Sequence, residues 1–283
     1  MTATPVPSLP TWEALRYMVP LREGGSLPAV VDTGAGGLFV VKFRGAGQGA
    51  RALIAEIVVA GLARVLDLPV PEVALVDLPE DFGRTERDPE IQDILKASRG
   101  VNFGIRYLDS ALNFDAGAAG DLVTDTFASD LVWLDALVTN PDRSHKNPNL
   151  LVHEERLWMI DHGAALYAHH QWSGVDRERT RTPFRPIEQH VLLDRASDVE
   201  GADARLADRL DEATLAAVLA TVPDALLLDP IGGSDFPDAG TARARYLEYL
   251  RVRLEAPRPW VREASDAHER VLATPARPLR ARR

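Results

Sequence analysis

Residues 140–149 read Asn-Pro-Asp-Arg-Ser-His-Lys-Asn-Pro-Asn, the densest run of polar side chains in the chain. Apolar residues recur at helical spacing before this loop and predict a helix over 121–139. Two short apolar segments after it, 150–153 and 157–160, predict a hairpin. Taken alone, the loop is more readily explained as a surface turn, because both of its Asn-Pro pairs are common turn dipeptides. The residues that follow the hairpin favour a functional interpretation.

A second acid stands where the hairpin ends, in the run Ile160-Asp161-His162-Gly163. With Asp142 and Asn147 in the loop, the order becomes helix, acid, amide, hairpin and acid. Phosphoryl transfer needs one carboxylate that accepts or orients the proton of the nucleophile. It also needs hard oxygen ligands that hold magnesium against a triphosphate, and an amide and a second carboxylate suffice. The arrangement therefore fits phosphoryl transfer.

A lysine and a glutamate in the first third of the chain fit the nucleotide-binding part of a phosphoryl-transfer site. Lys42 lies in an apolar strand pattern over 38–43, and Glu56 lies on an apolar face of a helix predicted over 51–66. An acid on such a face is costly to bury without a cation, and Lys42 is the nearest one in sequence. A strand lysine paired with a helix glutamate holds the nucleotide phosphates in kinases. In the alternative interpretation, Glu56 reaches the surface and Lys42 ends a strand.

A glycine turn at Gly24, Gly25 and Ser26 precedes the first predicted hairpin. Backbone amides freed by glycine can approach phosphate oxygens closely, so this turn is a candidate phosphate-covering segment. As a motif it is weak, and the chain contains no Walker A pattern. We also predict autophosphorylation of Ser26, which would disturb phosphate binding.

Composition mainly excludes classes of function. The 283 residues carry a formal net charge of −10, which argues against a general binder of nucleic-acid phosphates. Cysteine is absent, which rules out disulfides and thiolate chemistry. No apolar run is long enough for a membrane span, and Met1–Pro10 lacks the pattern of a signal peptide, so a cytoplasmic location is expected. The only lysines are Lys42, Lys96 and Lys146, and two of these fall in the proposed site.

The order of predicted elements is a strand-rich first third followed by helices. Strands are predicted over 28–32, 38–43, 73–78 and 103–108, with an opening helix over Trp12–Met18. This order predicts an α+β fold with two lobes, a small strand-rich N-lobe (1–108) and a larger helical C-lobe (109–256). The proline- and arginine-rich remainder, 257–283, is predicted to be a flexible tail.

The chain resembles the HipA-like kinases, specifically the short bacterial form. The resemblance runs from about Pro20 to Leu193 and rests most on the loop 140–151 and on Ile160-Asp161-His162-Gly163. It implies a protein-kinase-like fold, related also to phosphatidylinositol kinases, that uses ATP and magnesium. By this resemblance Asp142 is the catalytic base, Asn147 and Asp161 bind magnesium, and Lys42 contacts the nucleotide phosphates. Toxin–antitoxin pairing is not carried over, because longer HipA proteins have a further amino-terminal subdomain.

The sequence leaves the acceptor open. The leading prediction is transfer of the γ-phosphate to a protein serine or threonine. A kinase that acts on small molecules or lipid head groups uses the same chemistry and is one alternative. The other alternative, from a different class of function, is a regulatory module that binds nucleotide without catalysis. We expect neither direct nucleic-acid binding nor membrane association.

Overall fold

A computed structural model describes residues 6–21, 27–47, 49–84, 86–229 and 235–274. The predicted glycine turn at Gly24, Gly25 and Ser26 lies outside these residues. The strands in the described part are β1 Thr11–Glu13, β2 Arg16–Pro20, β3 Ala29–Asp32, β4 Leu38–Lys42, β5 Val73–Leu78, β6 Gly100–Arg106, β7 Leu112–Asn113, β8 Leu150–His153 and β9 Arg156–Met159. The helices there are α1 Ala50–Val65, α2 Pro89–Ala97, α3 Asp125–Leu137, α4 Arg177–Thr180, α5 Val199–Leu206, α6 Glu212–Ala220, α7 Asp224–Leu227, α8 Ala239–Leu254 and α9 Pro259–Ala273.

Six strands form the N-lobe sheet in the order β1-β5-β6-β4-β3-β2. All neighbouring strands are antiparallel except β1 and β5, which are parallel. One face carries Phe39, Val41 and Ala74 into a small core beneath α2. The other face carries Lys42, whose neighbour across the ladder is Phe103 on β6. Because side chains alternate along a strand, the apolar pattern of β4 sets which face Lys42 occupies.

The helix predicted over Trp12–Met18 is wrong, because this segment forms β1 and β2. The Arg16–Pro20 strand pairs with β3, and Tyr17 points inward to stack on Phe43 with ring centroids 6.4 Å apart. Met18 on the same strand is 52% exposed. The register shifts between Tyr17 and Val19, and pairing with β3 supplies the backbone hydrogen bonds that a helix would have made locally.

Helix α1 is buried almost all round rather than along one stripe. Its residues belong to the same continuous core as the C-lobe helices, so the helix lies between the lobes. It contacts β6 on one side and α6 and α7 on the other. A helix that is apolar on every face is expected in such a place.

The flexible tail predicted over 257–283 is corrected by α9, which is ordered from Pro259 to Ala273. Trp260 is fully buried, and its ring lies 5.4 Å from that of Trp133 on α3. Proline at the first position is suited to starting a helix, and the apolar face 260–267 packs on the C-lobe. The composition of the segment does not reveal this helical pattern, because proline and arginine are frequent at both of its ends.

The predicted α+β architecture is confirmed, with a curled sheet in the N-lobe and a helical C-lobe. The C-lobe also contains the three-stranded sheet β7-β8-β9, which carries the predicted hairpin. Within the described ranges, no helix combines the length and apolarity needed to cross a bilayer.

Candidate active site

Lys42 on β4 contacts two carboxylates. Its Nζ donates to Glu56 Oε1 at 2.5 Å and to Asp161 Oδ1 at 2.6 Å. The Glu56 side chain, on α1, is 1% exposed, whereas the Asp161 side chain is 41% exposed. Glu56 Oε1 also accepts from the backbone amide of His162 at 3.0 Å. One strand, one helix and the turn after β9 thus meet at a single ammonium group.

Charge pairing decides the protonation of this cluster. Burial acts to lower the pKa of Lys42, but Glu56 and Asp161 outweigh it and leave that pKa above its ordinary value. Burial also opposes ionisation of Asp161, yet the Lys42 ammonium holds the pKa of Asp161 below its ordinary value. Burial dominates at Glu56 and raises its pKa, although Lys42 and the His162 amide favour the charged form. The site therefore keeps a cation facing a partly open carboxylate.

Asp142 lies in the loop between α3 and β8 and is held by two amides. Its Oδ2 accepts from Asn147 Nδ2 at 2.8 Å and from Asn149 Nδ2 at 3.2 Å. The backbone amide of Asp142 donates to Asn140 Oδ1 at 3.1 Å. These bonds orient the carboxylate and leave its second oxygen outside the contacts with Asn147 and Asn149.

Two polar residues of the site have left-handed backbone conformations. The φ angle is 49° at Asn149 and 53° at Asp161. Asn and Asp tolerate this region better than most residues other than glycine, and residues held there cluster at functional sites. The conformation turns the chain sharply after β9, just where the Asp161 carboxylate meets Lys42.

A buried polar network supports both loops from below. Asp135 on α3 accepts from Arg143 Nε at 2.6 Å and from His190 Nε2 at 3.0 Å. The same arginine reaches His162 Nδ1 at 3.1 Å and donates to the carbonyl oxygen of Asn149. Asp135, Arg143, His162 and His190 are all at most 3% exposed. Arg143 thus links the loop that carries Asp142 to the turn that carries Asp161.

The histidines of this network are neutral donors and acceptors. Burial lowers the pKa of His162 to about 3, and the charge of Arg143 adds to the effect. Burial also lowers the pKa of His190, against the attraction of Asp135. His190 Nδ1 accepts from the amide of Leu192, so its proton is on the nitrogen that faces Asp135.

A cleft of about 900 Å³ lies between the lobes beside these residues. Val40, Lys42 and Ile105 line it from the N-lobe sheet, and Asn147 and Asp161 line it from the C-lobe. Tyr107 and Leu108, just after β6, line the cleft where the chain passes between the lobes. Apolar and charged side chains line the cleft together, with Asn147 and Asp161 at its floor, as a nucleotide with a base and a charged phosphate tail requires.

The oxygen donors at the floor fit a magnesium ion. The side-chain nitrogen of Asn147, Nδ2, donates to Asp142, which leaves the side-chain oxygen, Oδ1, for a cation. Asp161 offers a partly exposed carboxylate. Among the described residues there is no cluster of three or more His, Asp or Glu side chains suited to a metal. Magnesium retains several waters and is commonly held by few protein oxygens, so this sparse donor set suits it.

A family model for HipA-like kinases matches residues 18–228. The chain belongs to the HipA-like kinase family. It is therefore a kinase, and the resemblance noted in the sequence is confirmed.

The fold of this HipA-like kinase is similar to that of a solved structure, the proinflammatory kinase CtkA of Helicobacter pylori. The TM-score is 0.57, over 97% of this chain and 100% of that chain. The sequences are 13% identical, so the similarity concerns the fold alone. The comparison with curated proteins found no match.

The structure brings together the predicted site residues that it describes. Lys42, Glu56 and Asp161 form one contact cluster, and Asp142 and Asn147 form another on the adjoining loop. The predicted ion pair between strand lysine and helix glutamate is present, and the surface alternative for Glu56 is wrong. The individual roles in nucleotide and metal binding stay predictions.

Sequence reasoning missed Asp135, Arg143 and Asn149. Asp135 lies on an apolar helix, so the argument that predicted a cation partner for Glu56 also applied to it. Arg143 does not stand out in the sequence, because a further charge in so polar a loop does not indicate that its side chain is buried. The bond from Asn149 to Asp142 follows from the left-handed turn at Asn149, which a sequence pattern does not specify.

Proposed function

We propose that this HipA-like kinase transfers the γ-phosphoryl group of ATP to a serine or threonine hydroxyl of a protein acceptor, with magnesium as its metal. The observation that carries the proposal is the position of Lys42. Its ammonium lies within 2.6 Å of carboxylates from α1 and from the turn after β9, at the edge of the interlobe cleft. Positioning of charged groups supplies most of the catalysis in phosphoryl transfer, so this preassembled cluster is the part such an enzyme needs.

Lys42 contacts the α- and β-phosphates in this proposal, and Glu56 holds its side chain in place. Since Glu56 is almost completely buried, it cannot reach the nucleotide and acts through the lysine. Asp161 and the carbonyl oxygen of Asn147 hold the magnesium ion. A metal ion held by these two oxygens would supply positive charge against the phosphates.

Asp142 acts as the base. The acceptor oxygen forms its bond to the γ-phosphorus as the bond from that phosphorus to the β-phosphate oxygen breaks, and ADP leaves. The acceptor proton passes to the Asp142 carboxylate. Asn147 and Asn149 orient that carboxylate through one oxygen, so the other is the one that meets the hydroxyl.

Exposure of the catalytic loop supports a protein acceptor. Lys146 and Asn147 line the cleft and are exposed, and the preceding residue, His145, is exposed as well. A hydroxyl carried on a protein chain can reach such a loop without being enclosed. A small-molecule or lipid-head-group acceptor remains the alternative in the same chemistry.

Transfer from radiolabelled ATP tests the proposal. Asp142→Ala and Asp161→Ala should each lower transfer by at least about a hundredfold, because each removes a charged group that acts in the transition state. Asp194→Ala, an exposed acid outside the cleft, is the matched control and should leave transfer unchanged.

Full activity in both site variants would contradict the assignment of these residues. ATP binding without turnover on any acceptor would favour a non-catalytic regulatory module. A screen of protein mixtures against sugars, nucleosides and lipid head groups separates the acceptor classes, and labelling confined to small molecules would overturn the protein acceptor.

A further inference from the structure

Helix α1 carries Glu56 and lies in the continuous core that joins the C-lobe helices to one face of the N-lobe sheet. Its residues share that core with α6, α7 and β6 and are separate from the small core beneath α2. The position of Glu56 is therefore set by C-lobe packing as much as by the sheet that carries Lys42. Three contacts along the length of α1 show how close this packing is.

The middle of α1 approaches α6 through a glycine. A Cβ atom built at Gly61 would lie 2.8 Å from Val218 Cγ1, well inside contact distance. Val218 is completely buried and cannot easily turn away. Glycine in a helix interior costs about 1 kcal/mol relative to alanine, so its presence here needs a compensating reason. Close approach of the two helices is that reason.

Both ends of α1 are held by charges of the C-lobe. At the carboxyl end, Arg209 Nη2 donates to the carbonyl oxygen of Val65 at 2.5 Å and to Asp67 at 2.6 Å. A cation is favourable at this end of a helix, where carbonyl groups lack partners. At the amino end, Arg51 pairs with Asp235 at 2.8 Å.

The Glu56 oxygen that pairs with Lys42 also packs on the turn that carries Asp161. A Cβ at Gly163 would lie 3.3 Å from Glu56 Oε1 and 3.4 Å from Ala52 Cβ. A displacement of α1 therefore moves Glu56 relative to Lys42 and presses on this turn at the same time.

We propose that Arg209, Val218 and Asp235 form a clamp on α1 and that Gly61 is a positioning residue for the Lys42–Glu56–Asp161 cluster. The clamp packs against α1 and holds it where Glu56 pairs with Lys42. The Lys42–Glu56–Asp161 cluster therefore assembles without covalent modification of the segment that follows Asp161. The inference rests on the proposed kinase function, because it assigns a catalytic consequence to the helix position.

Gly61→Ala tests the clamp through turnover of magnesium-ATP, measured as ADP release with the best acceptor found. The added methyl forces α1 away from α6, and turnover should fall by about tenfold or more, since displacements near 1 Å can cost a hundredfold. Val218→Ala alone removes part of the clamp without pushing α1, so it should lower turnover by less than Gly61→Ala does. In Gly61→Ala/Val218→Ala the nearest remaining contact, to Val218 Cβ, is an ordinary 3.7 Å, and turnover should recover.

The melting temperature is measured for every variant to separate positioning from stability. Recovery of turnover in the double variant, while Val218→Ala still lowers the melting temperature, is the expected result. Normal turnover in folded Gly61→Ala overturns the clamp, and so does a double variant no more active than Gly61→Ala. Wild-type protein without any ATP turnover would instead contradict the proposed function, and the clamp proposal with it.

Arg209→Ala provides a second test if Gly61→Ala does not fold. Arg209 is 35% exposed, so its removal leaves no cavity, and turnover should fall several-fold as the end of α1 loosens. Arg205→Ala is the matched control, because Arg205 pairs with Asp130 of the same lobe at 2.7 Å. Equal turnover in the two arginine variants would overturn the role of the clamp.

Discussion

Lys42 neutralises a buried carboxylate and an open one at the same time. The two environments differ because the Glu56 side chain is enclosed by α1 and its neighbours, whereas that of Asp161 is 41% exposed to the cleft. Water can solvate Asp161 if the lysine is lost, but it cannot reach Glu56. The stability of the N-lobe and its catalytic charge therefore depend on the same ammonium group.

Lys42→Met should destabilise the protein by about 3–5 kcal/mol, because it leaves the buried Glu56 carboxyl group without its cation partner. Lys42→Met/Glu56→Gln should regain about half of that loss, since the second change removes the buried acid that has lost its cation. The free energy of unfolding is measured by urea titration monitored by tryptophan fluorescence.

Lys96→Met is the matched control, because Lys96 is 60% exposed and pairs with Asp93 only at 3.3 Å. It should change the free energy of unfolding by less than about 0.5 kcal/mol. Wild-type stability in Lys42→Met, or no recovery in the double variant, would show that the buried pair does not determine stability.

At the scale of elements, α9 completes the C-lobe. Trp260 packs on Trp133 and donates from Nε1 to the carbonyl oxygen of Arg253 at 2.8 Å. Arg253 is itself buried and donates to carbonyl groups of α3 at Ala136 and Leu137. The helix predicted to be a tail is thus tied to the helix that leads into the catalytic loop.

Trp260→Ala should lower the free energy of unfolding by about 3–5 kcal/mol, the usual cost of removing a large buried aromatic side chain. Leu272→Ala on the same helix is the control, because Leu272 is 64% exposed, and its effect should stay below about 0.5 kcal/mol. Urea unfolding of both variants decides the matter. Equal stabilities would mean that α9 does not pack on α3 in solution.

At the scale of the whole molecule, three buried histidines make stability depend on pH. Burial lowers the pKa of His162 to about 3 and holds those of His169 and His190 below the ordinary value near 6.5. Above about pH 6.5 these histidines are neutral in both the folded and the unfolded state, so they contribute no pH dependence. Below it the unfolded chain binds protons that the folded protein refuses.

Stability should therefore fall as the pH drops from about 6.5 toward 5. Each histidine contributes at most about 1.4 kcal/mol per pH unit, so the three together contribute at most about 4 kcal/mol per pH unit. Urea midpoints measured between pH 7.5 and 5 give the slope. His169→Gln should reduce the slope by about a third, whereas His145→Gln, at an exposed position, should leave it unchanged. A flat profile below pH 6.5 would contradict the neutral buried state.

Part of the site was predictable because its chemistry is local in the chain. Asp142 and Asn147 share one loop, Asp161 directly follows a strand, and Lys42 and Glu56 stand out as charges in apolar segments. Arg143 could not be recognised in the same way. Its side-chain partners Asp135 and His162 come from two separate segments, and nothing in the loop sequence says that this arginine turns inward while Lys146 stays exposed.

The sequence by itself determined that a strand-rich first third precedes a helical remainder, and it determined the residue types of the site and the family. Hydrophobic periodicity indicates which side of a segment packs on an apolar surface. Motif spacing indicates which reactive side chains lie within a few residues of one another. Only the tertiary structure decided that Trp12–Met18 forms strands, that α9 joins the C-lobe, and that α1 is held between α6 and the Asp161 turn. These outcomes depend on contacts between segments that are distant in sequence, such as Gly61 with Val218. Such contacts contribute free energy only when the fold has brought both surfaces together.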